Sequence, residues 1–110
     1  YQRRWKDKPA AGFTHSGSPS GDKLNTLVSL AVFAAQHGMV WVGSSDLPGS
    51  TVPGANRVGS YLGVMGYGNG DAARPPALDE GDLATAQALG RRVARFASTL
   101  VSRPEPASVA

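Results

Sequence analysis

Cysteine is absent from the 110 residues, and that absence excludes a disulfide framework, a zinc ribbon, an iron–sulfur cluster and a thiol nucleophile. Histidine is scarce too, and two His are a poor basis for a transition-metal site, so no metal is expected. No apolar run approaches the roughly 18 residues that span a bilayer, and the chain does not open with a charged segment followed by a hydrophobic one. The expectation is a soluble, unexported, cytoplasmic protein with no membrane partner. Charge of one sign is also limited. Of the formal +3, the excess sits at the start, where Arg3, Arg4, Lys6 and Lys8 face only Asp7. Arg91, Arg92 and Arg95 form a second basic group, offset by Asp71, Asp79, Glu80 and Asp82. A nucleic-acid footprint wants basic residues gathered on one face with aromatic or motif context, so no nucleic-acid partner is expected.

A chain of this length suits one small domain. Pro9-Ala-Ala-Gly-Phe-Thr14 is an apolar run that predicts a strand buried on both faces. The polar loop His15-Ser-Gly-Ser-Pro-Ser-Gly21 follows. Asp22 or Ser20 then offers a helix N-cap, and Leu24, Leu27, Val28, Ala31 and Ala35 repeat at helical spacing. Leu30, Val32, Phe33 and Ala34 widen that stripe and predict a largely buried helix, stopped by Gly38. Met39-Val-Trp-Val42 predicts a second strand. Residues 43–78 lose all periodicity and are rich in Gly, Ser, Pro and Asn, which predicts a loop that orders only against a ligand or a neighbouring subunit. Pro75-Pro76 followed by Asp79, Glu80 and Asp82 predicts the start of a second helix, with Leu83, Ala86, Leu89, Gly90, Val93, Phe96, Ala97 and Leu100 as its apolar stripe and Arg91, Arg92 and Arg95 mostly off it. Residues 1–102 are thus expected to form one unit and 103–110 a flexible tail. Strand, loop, helix, strand, loop, helix is the alternation of an α/β protein with a parallel sheet. Two strands cannot make a sheet covered on both faces, so the pattern predicts further strands before Tyr1.

In open parallel sheets, ligands bind beyond the carboxyl ends of the strands. Two loops occupy such ends, 15–21 after the first strand and the stretch from Gly43 onward after the second. The first offers hydroxyls at Thr14, Ser16, Ser18 and Ser20, backbone N–H groups made approachable by Gly17 and Gly21, and a helix N-terminus. Gly/Ser loops are also common connectors, and this one matches neither a Walker nor a GxGxxG pattern. His37, at a helix end, suits either a cation against the helix dipole or a functional contact. Trp41 reads as core, and Asp79, Glu80 and Asp82 read as first-turn charges. The residues single out no catalytic side chain.

Lys6-Asp-Lys-Pro-Ala-Ala-Gly-Phe13, His15-Ser-Gly-Ser-Pro-Ser-Gly-Asp-Lys-Leu-Asn-Thr26, Gln36-His-Gly-Met-Val-Trp-Val42 and Tyr67-Gly-Asn-Gly-Asp-Ala-Ala-Arg-Pro-Pro76 occur in an order that resembles the flavodoxin-like NAD(P)H:quinone oxidoreductase family of the tryptophan repressor-binding-protein type. The resemblance implies the C-terminal half of a doubly wound parallel sheet, with two strands and two main helices present. It implies FMN as cofactor, bordered by His15, Ser16, Gly17, Ser18, Pro19 and Ser20, with His37 near the flavin. It further implies NAD(P)H as electron donor, a small quinone-like acceptor, two-electron transfer, and a homo-oligomer, tetrameric in this family. The sequence departs from the family pattern at Pro19, Ser20, Asp22 and Lys23. Pro19 removes one backbone donor, and the family's phosphate-binding loop has no counterpart here. Two alternatives follow: an FMN-binding electron-transfer module without its own NAD(P)H turnover, or an inactive fragment lacking the phosphate cradle.

Overall fold

The computed structural model describes residues 4–68 and 78–102. In chain order these form β1 (Pro9–Ala10), β2 (Phe13–Ser16), α1 (Lys23–Gln36), β3 (Val40–Trp41), β4 (Val64–Tyr67) and α2 (Glu80–Ser102). The strands are parallel, β1 with β3 and β2 with β4, so the α/β class expected from the alternation is the one observed.

The two ladders are consecutive stretches of one seam. The carbonyls of Lys8, Ala10 and Gly12 accept from Val40, Val42 and Val64 at 3.0, 2.8 and 3.2 Å, and that of Ser16 accepts from Gly68 at 2.9 Å. In an extended chain alternate residues present their carbonyls to the same edge, so β3 and β4 both lie along one side of the segment 8–16. They are a single strand interrupted by a 43–63 excursion. The excursion is pinched at its neck: the Ser44 N–H donates to the Tyr61 carbonyl at 2.9 Å, and Trp41 Nε1 donates to the Leu62 carbonyl at 2.8 Å. A Cβ on Gly43 would lie 2.7 Å from that Tyr61 oxygen, so the neck closes only around glycine.

Several expectations are corrected. The stretch 43–78, expected to be loop throughout, contains β4. Four residues including Gly66 carry no detectable period, and their partner strand is far away in sequence. The excursion also makes polar contacts of its own within this chain. Asn56, 3% exposed, is its hub: its N–H donates to Thr85 Oγ1, its Nδ2 to the Asp46 carbonyl, and its Oδ1 accepts from the Ser60 N–H, each at 2.8 Å. Polar bonds replace the apolar burial that the composition lacks. The first strand is not buried on both faces, for Phe13 is 73% exposed. Likewise α1 is not largely buried. Leu27 and Ala34 face the strands, while Leu24, Val28, Val32 and Phe33 are exposed, because among the described residues only one side of the helix has a sheet against it. Asp22 does not cap α1 with its side chain; it takes the left-handed conformation at φ 52°. The second helix begins at Glu80, with Asp79 Oδ1 accepting from the Asp82 N–H at 3.1 Å. Its expected start at Pro75-Pro76 and the tail 103–110 lie outside the described residues.

The packing between α1 and the seam is tightest at two glycines. A Cβ on Gly63 would fall 2.8 Å from Leu27 Cδ2 and against the Gly12 carbonyl. Gly63→Ala should therefore lower stability by about 1–3 kcal/mol, the usual cost of overpacking, read as a lower denaturant midpoint with an unchanged slope.

Candidate functional site

The loop after β2 closes over a buried lysine. Lys23, 2% exposed, stands at the first turn of α1 and turns its ammonium back under the loop. There it donates to Ser16 Oγ at 2.5 Å and to the carbonyls of Ser18 and Pro19 at 2.7 and 3.0 Å. The Ser16 hydroxyl in turn donates to the Ser18 carbonyl at 2.7 Å. Closure needs a left-handed residue at Gly21, φ +52°, where a Cβ would collide with Ser16 Oγ. With those carbonyls occupied, the N–H groups of Gly17, Ser18, Ser20, Gly21 and Asp22 have no acceptor among the described residues. A run of free amides at the carboxyl end of a parallel strand can receive the electron-rich edge of a ligand.

Beside this loop lies a groove of about 1220 Å³, lined among others by Pro19, Ser20, Asn25, Val58, Tyr61 and Tyr67. Its far wall is built on an ion pair. Arg57 Nε and Nη2 bind the two oxygens of Asp82 at 2.9 and 2.7 Å, and Nη2 also donates to the Tyr67 carbonyl at 2.8 Å. The guanidinium lies 3.6 Å from the centre of the Tyr67 ring, and Asp79 adds a longer contact at 3.6 Å. The Asp82 hydrogen bond is the main reason that the Arg57 pKa is raised; partial burial opposes it. Because the folded value lies above the unfolded one, the stability that follows from this shift is present throughout the physiological range and fades as pH rises through the raised guanidinium value in strong alkali. Arg57 is thus a spent cation, holding Tyr67 in place rather than waiting for an anion.

The structure brings together only part of the expected set. Ser16, Gly17, Ser18, Pro19 and Ser20 form the loop. His15 takes the other face: its ring lies along β4, such that a Cβ on Gly66 would be 3.0 Å from His15 Cδ2 and one on Gly68 3.1 Å from Cε1. His37 is not brought to the loop. It stands at the far end of α1, about 21 Å of helix away, with its ring centre 5.0 Å from that of Trp5 and 4.7 Å from that of Phe33. Lys23, Arg57 and Asp82 were missed by sequence reasoning. Asp82 had a signal: with Thr85 and Leu89 it forms a buried stripe at helical spacing, which marks an acid needing an internal partner.

A strand-end loop of this kind, on a parallel α/β seam, belongs to the doubly wound α/β class, and the arrangement agrees with part of a flavodoxin-like fold. No family model matches the chain. It is 35% identical over 104 residues to the flavodoxin FldP of Pseudomonas aeruginosa strain UCBPP-PA14, a match covering 91% of this chain and 56% of that protein. It is 36% identical over 102 residues to an NAD(P)H dehydrogenase (quinone) of Archaeoglobus fulgidus, covering 90% and 45%. Over nine tenths of its length the chain is thus similar both to a flavodoxin and to an NAD(P)H dehydrogenase (quinone). It spans about half the length of these relatives.

The groove's far wall makes its own test. Asp82→Asn leaves the Arg57 guanidinium with only the longer contact to Asp79, at 3.6 Å, as counter-charge. Removing one partner of a buried pair costs about 3–5 kcal/mol, and the quarter exposure of Arg57 puts the expected loss near the lower end, measured by denaturant unfolding.

Proposed function

We propose that the protein is an FMN-dependent oxidoreductase which takes a hydride from NAD(P)H and passes two electrons to a small quinone-like acceptor. The observation that carries this reading is the loop 16–22, with its carbonyls turned onto Lys23 and its amides free at a strand end. When bound, FMN supplies the redox chemistry. The residues of this chain bind and orient it: the amides of Gly17, Ser18 and Ser20 donate to the polar edge of the ring, and Pro19 and Ser20 form the lip of the groove where donor or acceptor would lie. His15 supports the loop from the opposite face by packing on Gly66 and Gly68. The ring edge therefore fits this chain. The phosphate does not fit equally well, since Asp22 stands at the start of α1 and Arg57 is already neutralised by Asp82. The same fold would serve a cytoplasmic enzyme. The apolar side chains exposed on α1 favour a homo-oligomer, tetrameric if it follows the family resemblance.

A second reading, an electron carrier without its own NAD(P)H turnover, is favoured by the flavodoxin among the relatives. Mixing the full-length protein with NADPH or NADH in a stopped-flow instrument separates the two. Rapid bleaching of the flavin, and parallel lines in a double-reciprocal plot with a quinone, support the enzyme; a flavin that stays oxidised supports the carrier.

Two further outcomes are expected. The 110-residue chain alone should bind FMN weakly or not at all in isothermal titration, for want of a phosphate cradle among the described residues. In the full-length protein, His15→Ala should shift flavin affinity or potential. His37→Ala should instead cost about 0.5–1.5 kcal/mol of stability through lost ring contacts and leave the rate of flavin reduction nearly unchanged.

A further inference from the structure

A buried ammonium with no carboxylate is rarely left in a protein without a use. Lys23 is such a group. Neither of the ion pairs among the described residues includes it, and its exposed neighbour Asp22 makes no ion pair with it. Its three donors meet three neutral oxygens, which satisfies the hydrogen bonds and leaves the charge uncompensated. That charge lies directly under the loop whose amides are free. Two effects follow from one atom. The ammonium draws the carbonyls of Ser18 and Pro19 inward, so neither faces a ligand, and the N–H of Ser20, across the peptide from the Pro19 carbonyl, is turned outward. It also places a full positive charge behind them, in surroundings that screen it less than water does.

We propose that Lys23 is the positioning residue of this site: by holding the loop from beneath and lending it an unneutralised positive charge, it makes the site prefer the anionic, reduced form of the bound flavin over the neutral, oxidised form. The inference rests on the FMN reading above. It assigns the tuning of the cofactor to a side chain that does not touch it, and it identifies Ser16 as the coupling element, since the Ser16 hydroxyl accepts from Lys23 and donates to Ser18.

The test uses the full-length protein. In the flavin-free form, brief treatment with acetic anhydride should label Lys6 and Lys8 at least about tenfold faster than Lys23, because Lys6 and Lys8 are exposed and Lys23 is buried; Ser16→Ala should raise labelling at Lys23. Equal labelling of all three would overturn the placement. In the FMN-bound form, Lys23→Met should weaken binding of reduced FMN about tenfold more than binding of oxidised FMN, which is a midpoint about 30 mV lower for a two-electron couple. Lys23→Gln, which keeps donors but not charge, should lower the midpoint similarly, whereas Lys23→Arg should restore most of it. An unchanged midpoint in both Lys23→Met and Lys23→Gln, with FMN still bound, would overturn the proposal and leave the FMN reading standing. If the wild-type protein takes up no FMN while Lys23 resists labelling, the FMN reading fails and the tuning role falls with it. Should Lys23→Met fold poorly, the Lys23→Gln and Lys23→Arg pair decides.

Discussion

The parallel seam along residues 8–16 is the constraint on which everything else depends. Its carbonyls bind two separate segments, β3 and β4, and thereby bring residues more than twenty positions apart in sequence into one strand line. The sheet end at Ser16 and Tyr67 exists only because β4 resumes the pairing that β3 leaves. The loop over Lys23 and the wall held by Arg57 both hang from that end. The hydrogen bonds are individually modest, each worth about 0.5–1.5 kcal/mol net, but they fix register, and a slip by one residue would send Tyr67 to the face now held by Gly66.

Two charged groups organise the site in contrasting ways. Arg57 is neutralised by Asp82 and serves as rigid masonry behind Tyr67. Lys23 is satisfied in hydrogen bonds but not in charge. The pair separates compensated from uncompensated positive charge within one small molecule, and composition alone cannot make that separation: both count equally toward the formal +3.

Much of this was legible in the sequence where local rules apply. The stripe of Leu24, Leu27, Val28, Ala31 and Ala35 with the Gly38 stop marked α1 nearly to the residue, though not which of those side chains are buried, and a short apolar run after a glycine marked β3. The loop 15–21 was legible as a loop at a strand end because Gly and Ser follow an apolar run there. The remainder depends on long-range partners. β4 has four residues with a glycine among them, and only its partner strand makes it a strand. Asp82 reads as a first-turn charge until Arg57, 25 residues earlier, is brought to it. Lys23 in the first turn of a helix would ordinarily extend into water, and nothing local reveals that the preceding loop folds back over it. The exposure of Phe13 and of the outer face of α1 departs from the patterning for the opposite reason: the apolar residues are where a two-sided sheet would want them, and the described residues cover one side.

The neck of the 43–63 excursion joins two points of a continuous strand line that are already adjacent. Gly43 and Tyr61 meet, and Trp41 reaches across to Leu62. Asn56 and Arg57 tie the excursion to α2 and to Tyr67, so it is the exposed tip, residues 47–54, that is decoupled from the geometry of the sheet. Because loop-closure entropy grows only slowly with length, the chain can gain or shed residues there over evolutionary time without disturbing pairing on either side. The same junction is a natural graft point: a foreign peptide or a small reporter domain whose own ends lie close together could replace the tip of the excursion and leave both halves of the strand in register.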